Sequence, residues 1–369
     1  MPTNSEPSPD QTTDRETSDE HRGYDLESGL IARVREWTDV FPWVRLARTL
    51  RVSGSPPMLF LTACFLFVWG IGQSLISSPP LASASESAGA AAGPWSLLSE
   101  ISAGLGLHFG SLIPTSLFAS GFTGVAFVEV VWAVLVWIPG LMILARQGAL
   151  LTAGRPMMGL KNVSMHVFHR TLAGWFAAFI PLACTVMLSV FVMLLGLLSR
   201  IAFFSWIEYG IAMLVVVVAI PCGILVFGAN VAVPLSWSAL AIEENPDPLD
   251  SLSRGYEYLL RRPLKLILYL LIASVLVLII ALLASLVGSA AEGVARLSLD
   301  FVGAAQNTQL ATIDLLRWLP RLVGLTQMGA LCGGVYLLLR HDAGGQEVED
   351  IWQPVSKPSV GLPSLPDTN

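Results

Sequence analysis

The sequence predicts an all-α integral membrane bundle of about six transmembrane helices, with interfacial amphipathic helices. Hydrophobic residues make up 54% of the 369 residues, charged residues make up only 13%, and the mean hydropathy is +0.66. A soluble domain carries roughly 25% charged residues. The chain therefore has more apolar surface than one core can bury, and the surplus is expected to face lipid.

Six apolar segments are long enough, or nearly so, to cross the hydrocarbon core of a bilayer, which takes about 20 residues. They are residues 57–77, 123–145, 174–198, 211–240, 266–288 and 322–339. The fourth contains Pro221 and Pro234, which predict a kinked helix. The sixth is short and contains Gly324, Gly329, Gly333 and Gly334, which would let a neighbouring helix approach closely. The four cysteines lie inside apolar runs and are expected to be buried small side chains rather than disulfides or metal ligands.

The domain organisation is one membrane domain between two polar tails. Residues 30–340 form the six-span domain, and residues 1–29 and 341–369 are expected to be disordered cytoplasmic tails. Thirteen of the 27 acidic residues lie in these tails, which are also rich in Pro and Ser.

The orientation follows from the basic residues. Seventeen of the 21 Lys and Arg residues flank the spans on one side, and four flank them on the other. Because Lys and Arg accumulate on the cytoplasmic side, both termini should be cytoplasmic, in a multi-pass protein of the cell (inner) membrane. The basic groups follow the membrane boundaries, so lipid headgroups are more plausible anionic partners than nucleic acid.

Two segments are expected to lie on the membrane surface. In residues 28–51, apolar residues recur at helical spacing and Arg45, Arg48 and Arg51 follow three residues apart. In residues 247–265, Asp247 is a suitable N-cap, Pro248 suits the first helical position, and Pro263 ends the helix. This second helix carries two opposite-charge pairs, Asp250–Arg254 and Glu257–Arg261, and an apolar stripe of Leu249, Leu252, Tyr256, Leu259 and Leu260. The candidate headgroup contacts are Arg45, Arg48, Arg51, Arg261, Arg262 and Lys265.

A weaker version of the second connector precedes span three. A shift of 92 residues places residues 166–172 on residues 258–264, and in both places a basic helical segment leads into a long apolar span. The pattern is either a parallel repeat, as some transporters use, or a chance similarity.

One patch of sequence carries a family resemblance. The run Pro234-Leu-Ser-Trp-Ser-Ala-Leu-Ala-Ile-Glu-Glu is followed by Asp250-Ser-Leu-Ser-Arg-Gly-Tyr-Glu-Tyr-Leu-Leu-Arg-Arg-Pro. It resembles uncharacterised bacterial multi-pass membrane proteins of planctomycete type, over roughly residues 130–290. A looser similarity reaches the membrane domain of some glycerophosphodiester phosphodiesterases, but this chain has no room for their soluble catalytic domain. The resemblance implies a membrane protein and carries over no catalytic residue.

Three polar residues within the spans are the candidate intramembrane sites: Glu129, Asn230 and Gln327. An ionised Glu129 at mid-bilayer would be costly and would indicate function, whereas near the outer headgroups it would only reach the interface. The side chains of Asn230 and Gln327 are expected either to form hydrogen bonds between helices or to line a polar path. His166 and His169 have a spacing that fits two metal ligands, but no third ligand is nearby, and a solvated pair is favoured.

These features predict an integral membrane protein that is not an enzyme and organises lipid or other membrane proteins, without a cofactor. The expected partners are the lipid bilayer, anionic lipid headgroups and a membrane-protein partner, and not nucleic acid. The alternative is a transporter or channel-like protein built on the two-unit repeat, and a membrane-embedded lipid enzyme comes third. A polar cavity lined by Glu129, Asn230 or Gln327 would favour transport, and a filled apolar interior would favour the organiser.

Overall fold

The computed structural model describes residues 41–76, 124–200, 205–244 and 247–352. The predicted tail 1–29, the first part of the surface segment 28–51, the loop between spans one and two, and residues 353–369 lie outside the described residues. Contacts divide the chain into residues 1–44 and residues 45–369, and the second unit holds the membrane helices.

The predicted fold class is confirmed, because each regular element among the described residues is helical. A 3-10 helix, Pro42–Thr49, leads into ten α-helices. They are α1 (Leu50–Ser53), α2 (Pro56–Ile76), α3 (Gly124–Thr152), α4 (Leu160–Phe168), α5 (Thr171–Ser199), α6 (Ser205–Ile242), α7 (Pro248–Arg261), α8 (Pro263–Val302), α9 (Gln306–Arg317) and α10 (Leu319–Gly344). Five of the described helices are long and apolar enough to cross a membrane, and a sixth is reached if α2 and the segment before it, which meet at a bend of 75°, count as one span.

Helices α3 and α10 form the centre of the bundle. Most of their apolar stretches are buried, whereas α5 and α8 are mainly exposed and the first half of α6 almost wholly so. Since exposed Leu, Val, Ile and Phe side chains cover these outer helices, their exposed faces suit contact with lipid.

The close approach predicted for the sixth span is confirmed. A Cβ atom added at Gly333 would lie 1.8 Å from the carbonyl oxygen of Ala145, and one added at Gly148 would lie 1.9 Å from that of Ala330. Backbones of α3 and α10 therefore touch at two glycines, one contributed by each helix.

Several helices extend beyond the predicted spans. Helix α8 runs to Val302, so residues 289–302, which lie beyond the predicted span 266–288, continue the helix for about 20 Å. Apolar character ends near residue 288, but helix-forming residues continue and a Glu292–Arg296 pair at 2.5 Å supports the turn. Helix α6 is continuous through Pro221 and Pro234.

The C-terminal boundary also differs from the prediction. Residues 341–352 were expected to be disordered, but α10 continues to Gly344, and residues 345–352 pack on the bundle with Val348 and Ile351 buried. The acidic composition of this segment suggested a disordered tail. The burial of Val348 and Ile351 and the arginines that bond to the backbone of the segment were not predicted. We call residues 345–352 the strap.

The cysteines are free thiols, and their burial was overestimated. Cys64 is exposed, and Cys184, Cys222 and Cys332 are half-buried. An exposed apolar thiol on an outer helix suits lipid as well as a protein core.

Candidate functional site

The polar side chains of the bundle concentrate at one end. Helices α2, α5 and α8 begin there, and α3, α6 and α10 end there. The connecting helices α4 and α7 and the strap cover this end, which we call the charged end.

Arg146, on α3, is the central residue of the charged end. It is fully buried, and its guanidinium donates hydrogen bonds to the carbonyl oxygens of Ala241 at 2.5 Å and Trp352 at 3.0 Å. The open carbonyls at the end of α6 and in the strap accept from its two terminal nitrogens, while its Nε is buried without a hydrogen-bond partner among the described residues. Arg146 therefore joins three parts of the chain.

Arg170, just before α5, caps the C-terminus of α6. It donates to the carbonyl oxygens of Leu240 and Glu244, each at 2.9 Å, and to that of Glu243. The last carbonyls of a helix lack partners within the helix and carry partial negative charge, so a cation there is favourable. Burial lowers the pKa of Arg170, and the nearby Glu243 carboxylate acts in the opposite direction.

Glu243 is the acidic centre of this end. Its Oε1 accepts hydrogen bonds from Arg254 at 2.5 Å and from the Tyr336 hydroxyl. Arg254 also pairs with Asp250 at 2.7 Å, as the sequence predicted. These bonds tie α7 to the end of α6 and to α10.

The strap is held mainly through its backbone. Arg155 donates to the carbonyl oxygens of Glu349 at 2.7 Å and Ile351 at 3.3 Å, and Arg340 donates to those of Glu347 and Asp350. The Trp352 ring stacks on His166 at 5.3 Å and lies under the Arg170 guanidinium at 5.2 Å. The arginine hydrogen bonds that hold the strap therefore end on its backbone carbonyl oxygens rather than on its carboxylates.

His166 lies between these cations and the strap. Burial, followed by the charges of Arg146 and Arg170, lowers the pKa of His166 to about 4. The imidazole is therefore neutral at pH 7, which suits its stacking on an indole ring. His169, predicted as its partner in a pair, is exposed, and no group of three or more metal-ligating side chains occurs among the described residues.

The connector α7 has the predicted capping. The Asp247 carboxylate accepts a hydrogen bond from the Leu249 amide at 3.1 Å, and Pro248 and Pro263 begin α7 and α8 respectively. Leu249 and Leu260 of the apolar stripe are exposed, whereas Leu252 is buried. Gly255 and Tyr258 are also buried, where α7 lies so close to α6 that a Cβ atom on Gly255 would be 2.6 Å from the Ala232 carbonyl oxygen.

The six candidate headgroup contacts fall into two groups. Arg48, Arg51 and Arg261 are exposed. Arg45 is mostly shielded and lies 3.6 Å from Glu349, while Arg262 donates to the Asp342 carbonyl and Lys265 pairs with the Asp342 carboxylate at 2.9 Å. The second group therefore fastens helix ends and the strap.

The three intramembrane candidates do not converge. Glu129 is half-buried and lies five residues after the start of α3 at Gly124, near the end of the bundle opposite the charged end. Gln327 is fully buried and donates to the Thr49 hydroxyl at 2.8 Å, which fits the role of a hydrogen bond between helices.

Asn230 lines two cavities of the bundle. It borders one of about 100 Å³ between α3, α5, α6 and α10, and another of about 410 Å³ between α6, α8 and α10. Both are otherwise mainly apolar. Among the described residues, these two cavities therefore combine a mainly apolar lining with one of the candidate polar residues.

Sequence reasoning used Arg146, Arg155 and Arg170 only as indicators of orientation, and it missed Glu243, Tyr336 and Trp352. An arginine inside a long apolar helix, at Arg146, was the available signal that a buried cation needs partners. The partners could not be predicted, because they are backbone carbonyls distant in sequence.

The fold and the charged end define the class, a multi-pass membrane protein. No family model, no curated protein and no solved structure matches the chain. The resemblance to planctomycete-type membrane proteins and to phosphodiesterase membrane domains therefore stays a prediction.

Proposed function

We propose that this protein is a non-enzymatic integral membrane protein that organises anionic lipid around its charged end, in the cytoplasmic leaflet of the cell membrane. The observation that carries the proposal is the outer face of the connectors. Helix α4 exposes Met165, Phe168 and Lys161, and α7 exposes Leu249, Leu260 and Arg261. Large apolar side chains beside cations are typical of helices that lie in the headgroup region.

The internal bonding of the charged end supports a structural role for its buried residues. Arg146, Arg170 and Arg340 donate to backbone carbonyls, and Glu243 accepts from Arg254 and Tyr336. A catalytic site needs an acid or base beside a space that admits substrate. These groups instead bond to one another and to the chain, so the exposed cations are the ones available to lipid.

A transporter or channel-like protein is the second candidate. Asn230 favours it, since this polar side chain borders two cavities inside the bundle. The lining of those two cavities includes neither Glu129 nor Gln327, so the three candidate polar residues do not share one of these cavities.

The proposal is tested by counting bound lipids. Protein purified from an equal mixture of anionic and zwitterionic phospholipids is examined by native mass spectrometry. We expect the wild type to retain anionic lipid preferentially, and the triple variant Arg48→Gln, Arg51→Gln, Lys161→Gln to lose that preference. Each basic residue near a membrane surface contributes about 1 kcal/mol to lipid binding, so replacing three of them lowers the affinity by at most about 100-fold.

The matched control neutralises three exposed arginines elsewhere, Arg200→Gln, Arg296→Gln and Arg317→Gln. Equal loss in both triple variants, or no preference in the wild type, would contradict the proposal. Ionic current through planar bilayers containing the purified protein would favour the channel-like alternative.

A further inference from the structure

The two cavities beside Asn230 are separated by a thin wall. Four residues border both of them: Asn230 and Pro234 on α6, and Met328 and Cys332 on α10. The cavity of about 100 Å³ is called the inner cavity, and that of about 410 Å³ the outer cavity. Methionine is unbranched and flexible, so rotation of the Met328 side chain would join the two. Together they form one candidate chamber inside the bundle.

Asn230 supplies a side-chain hydrogen-bond acceptor that has no partner among the described residues. Its side-chain Oδ1 is buried with no hydrogen-bond partner. Its backbone carbonyl would, in a regular helix, accept from the amide of residue 234, but Pro234 has no amide hydrogen. A buried acceptor without a partner costs about 1–3 kcal/mol. A donor that entered the chamber would recover this cost after a small rotation of the half-buried amide.

The chamber opens towards the surface of the bundle between α6 and α8. Leu270, Ser274 and Leu278 line the outer cavity and are exposed on α8. Most of the other lining residues are apolar, among them Ala273, Val277 and Leu331. The outer cavity of about 410 Å³ is within the usual range for small-molecule sites. A ligand would enter sideways from the lipid.

The depth of Asn230 restricts the ligand. It lies 12 residues before the end of α6 at Ile242, which corresponds to about 18 Å along the helix. The hydrocarbon core is about 30 Å thick, so Asn230 lies near its middle. A charged phospholipid headgroup is too costly to place at that depth. A molecule with one neutral hydrogen-bond donor can be placed there at a much lower cost.

We propose that this chamber binds a long-chain apolar alcohol. The hydroxyl of the ligand donates to Asn230, and its chain lies along α8 and α10 in the outer cavity. This site is separate from the exposed cations and apolar side chains of the charged end that are proposed to bind lipid, here called the headgroup platform, and it does not depend on them.

The experiment uses the full-length protein in lipid nanodiscs and a hexadecanol that carries a photoactivatable diazirine. We expect crosslinks on residues 270–278 and 328–335, and we expect unlabelled hexadecanol to suppress them. The methyl ether of hexadecanol, which lacks the donor, should compete at least about five-fold less effectively than the alcohol. Asn230→Leu should remove this discrimination. Ala273→Trp, which fills the outer cavity, should abolish the crosslinks.

The controls separate binding from folding and from general lipid contact. Ser274→Trp places a large ring at the exposed mouth of the chamber, where it should also block entry of the probe without burying the ring in the protein. Val190→Trp, in the separate cleft between α5 and α6, should leave labelling unchanged. Equal competition by alcohol and ether in the wild type would overturn the proposal, as would labelling that neither Ala273→Trp nor Ser274→Trp reduces.

Discussion

At the scale of single residues, the charged end is built from arginines that bond to backbone carbonyls. Arg146, Arg155 and Arg340 hold the strap, and Arg170 caps α6. Helix ends leave four carbonyls without partners within the helix, and a guanidinium can reach several at once. The same residues that set the orientation of a membrane protein thereby also close one end of the bundle.

Arg146→Met should strongly destabilise the protein. Hydrogen bonds from a charged donor contribute about 1.5–3 kcal/mol each, and the carbonyls of Ala241 and Trp352 would remain without this donor. We expect a clear fall in the midpoint of thermal unfolding in detergent. Arg48→Met, at an exposed arginine, should change stability by less than about 0.5 kcal/mol. Equal effects of the two substitutions would refute the central role of Arg146.

The stability of the charged end should fall in acid because of His166. Its pKa is about 4 in the folded protein and 6.5 as an unperturbed value. Between these values the unfolded chain binds the proton and the folded chain does not, so stability decreases as the pH falls from about 6.5 towards 4. Above pH 6.5 this contribution is constant.

The measurement compares the unfolding midpoint of the wild type with that of His166→Gln from pH 8 to pH 4. The difference between the two proteins should be flat above pH 6.5 and should shift in favour of the variant below it. A difference that does not change with pH would show that His166 titrates normally.

At the scale of helices, the contact between α3 and α10 decides the packing of the bundle. Backbone atoms meet at Gly148 and Gly333, and neither site has room for a methyl group. The glycines of the sixth span were recognisable in the sequence, but their partner on α3 was not, because any span could have occupied that face.

Gly333→Ala should force α3 and α10 apart. Overpacking of a tight interior typically costs about 1–3 kcal/mol. Gly196→Ala is the matched control, since no atom lies within 4 Å of a Cβ atom there and alanine favours a helix by up to about 1 kcal/mol. Unfolding in detergent should show a loss for the first and no loss for the second. Tolerance of Gly333→Ala would mean that the two helices are not in backbone contact.

The connector α7 shows what local sequence can and cannot determine. Its cap, its ion pairs and both flanking prolines were predictable, because each depends on residues within four positions. Its contact with α6 was not predictable from local sequence, since Gly255 meets the α6 backbone while Leu249 and Leu260 are exposed. Side-chain hydrophobicity does not indicate where two backbones approach closely.

At the scale of the whole molecule, composition was sufficient to predict the fold class and the approximate positions of the membrane helices. The end of α8 and the strap were not predictable in this way, because hydropathy ends near residue 288 and the strap depends on arginines remote in sequence. Asn230 was recognised as a polar residue within a span, but its cavities arise from the packing of four other helices, α3, α5, α8 and α10, with α6.

The central claim is that the charged end faces the cytoplasm, where anionic lipid is concentrated. Single-cysteine variants test it most directly, in a background in which Cys64, Cys184, Cys222 and Cys332 are replaced by alanine. Ser253→Cys lies at the charged end and Thr308→Cys lies on α9 at the opposite end, and both positions are exposed. In intact cells, a membrane-impermeant maleimide should label Thr308→Cys and should label Ser253→Cys only after permeabilisation. Labelling of Ser253→Cys in intact cells would contradict the orientation and, with it, the proposed headgroup platform.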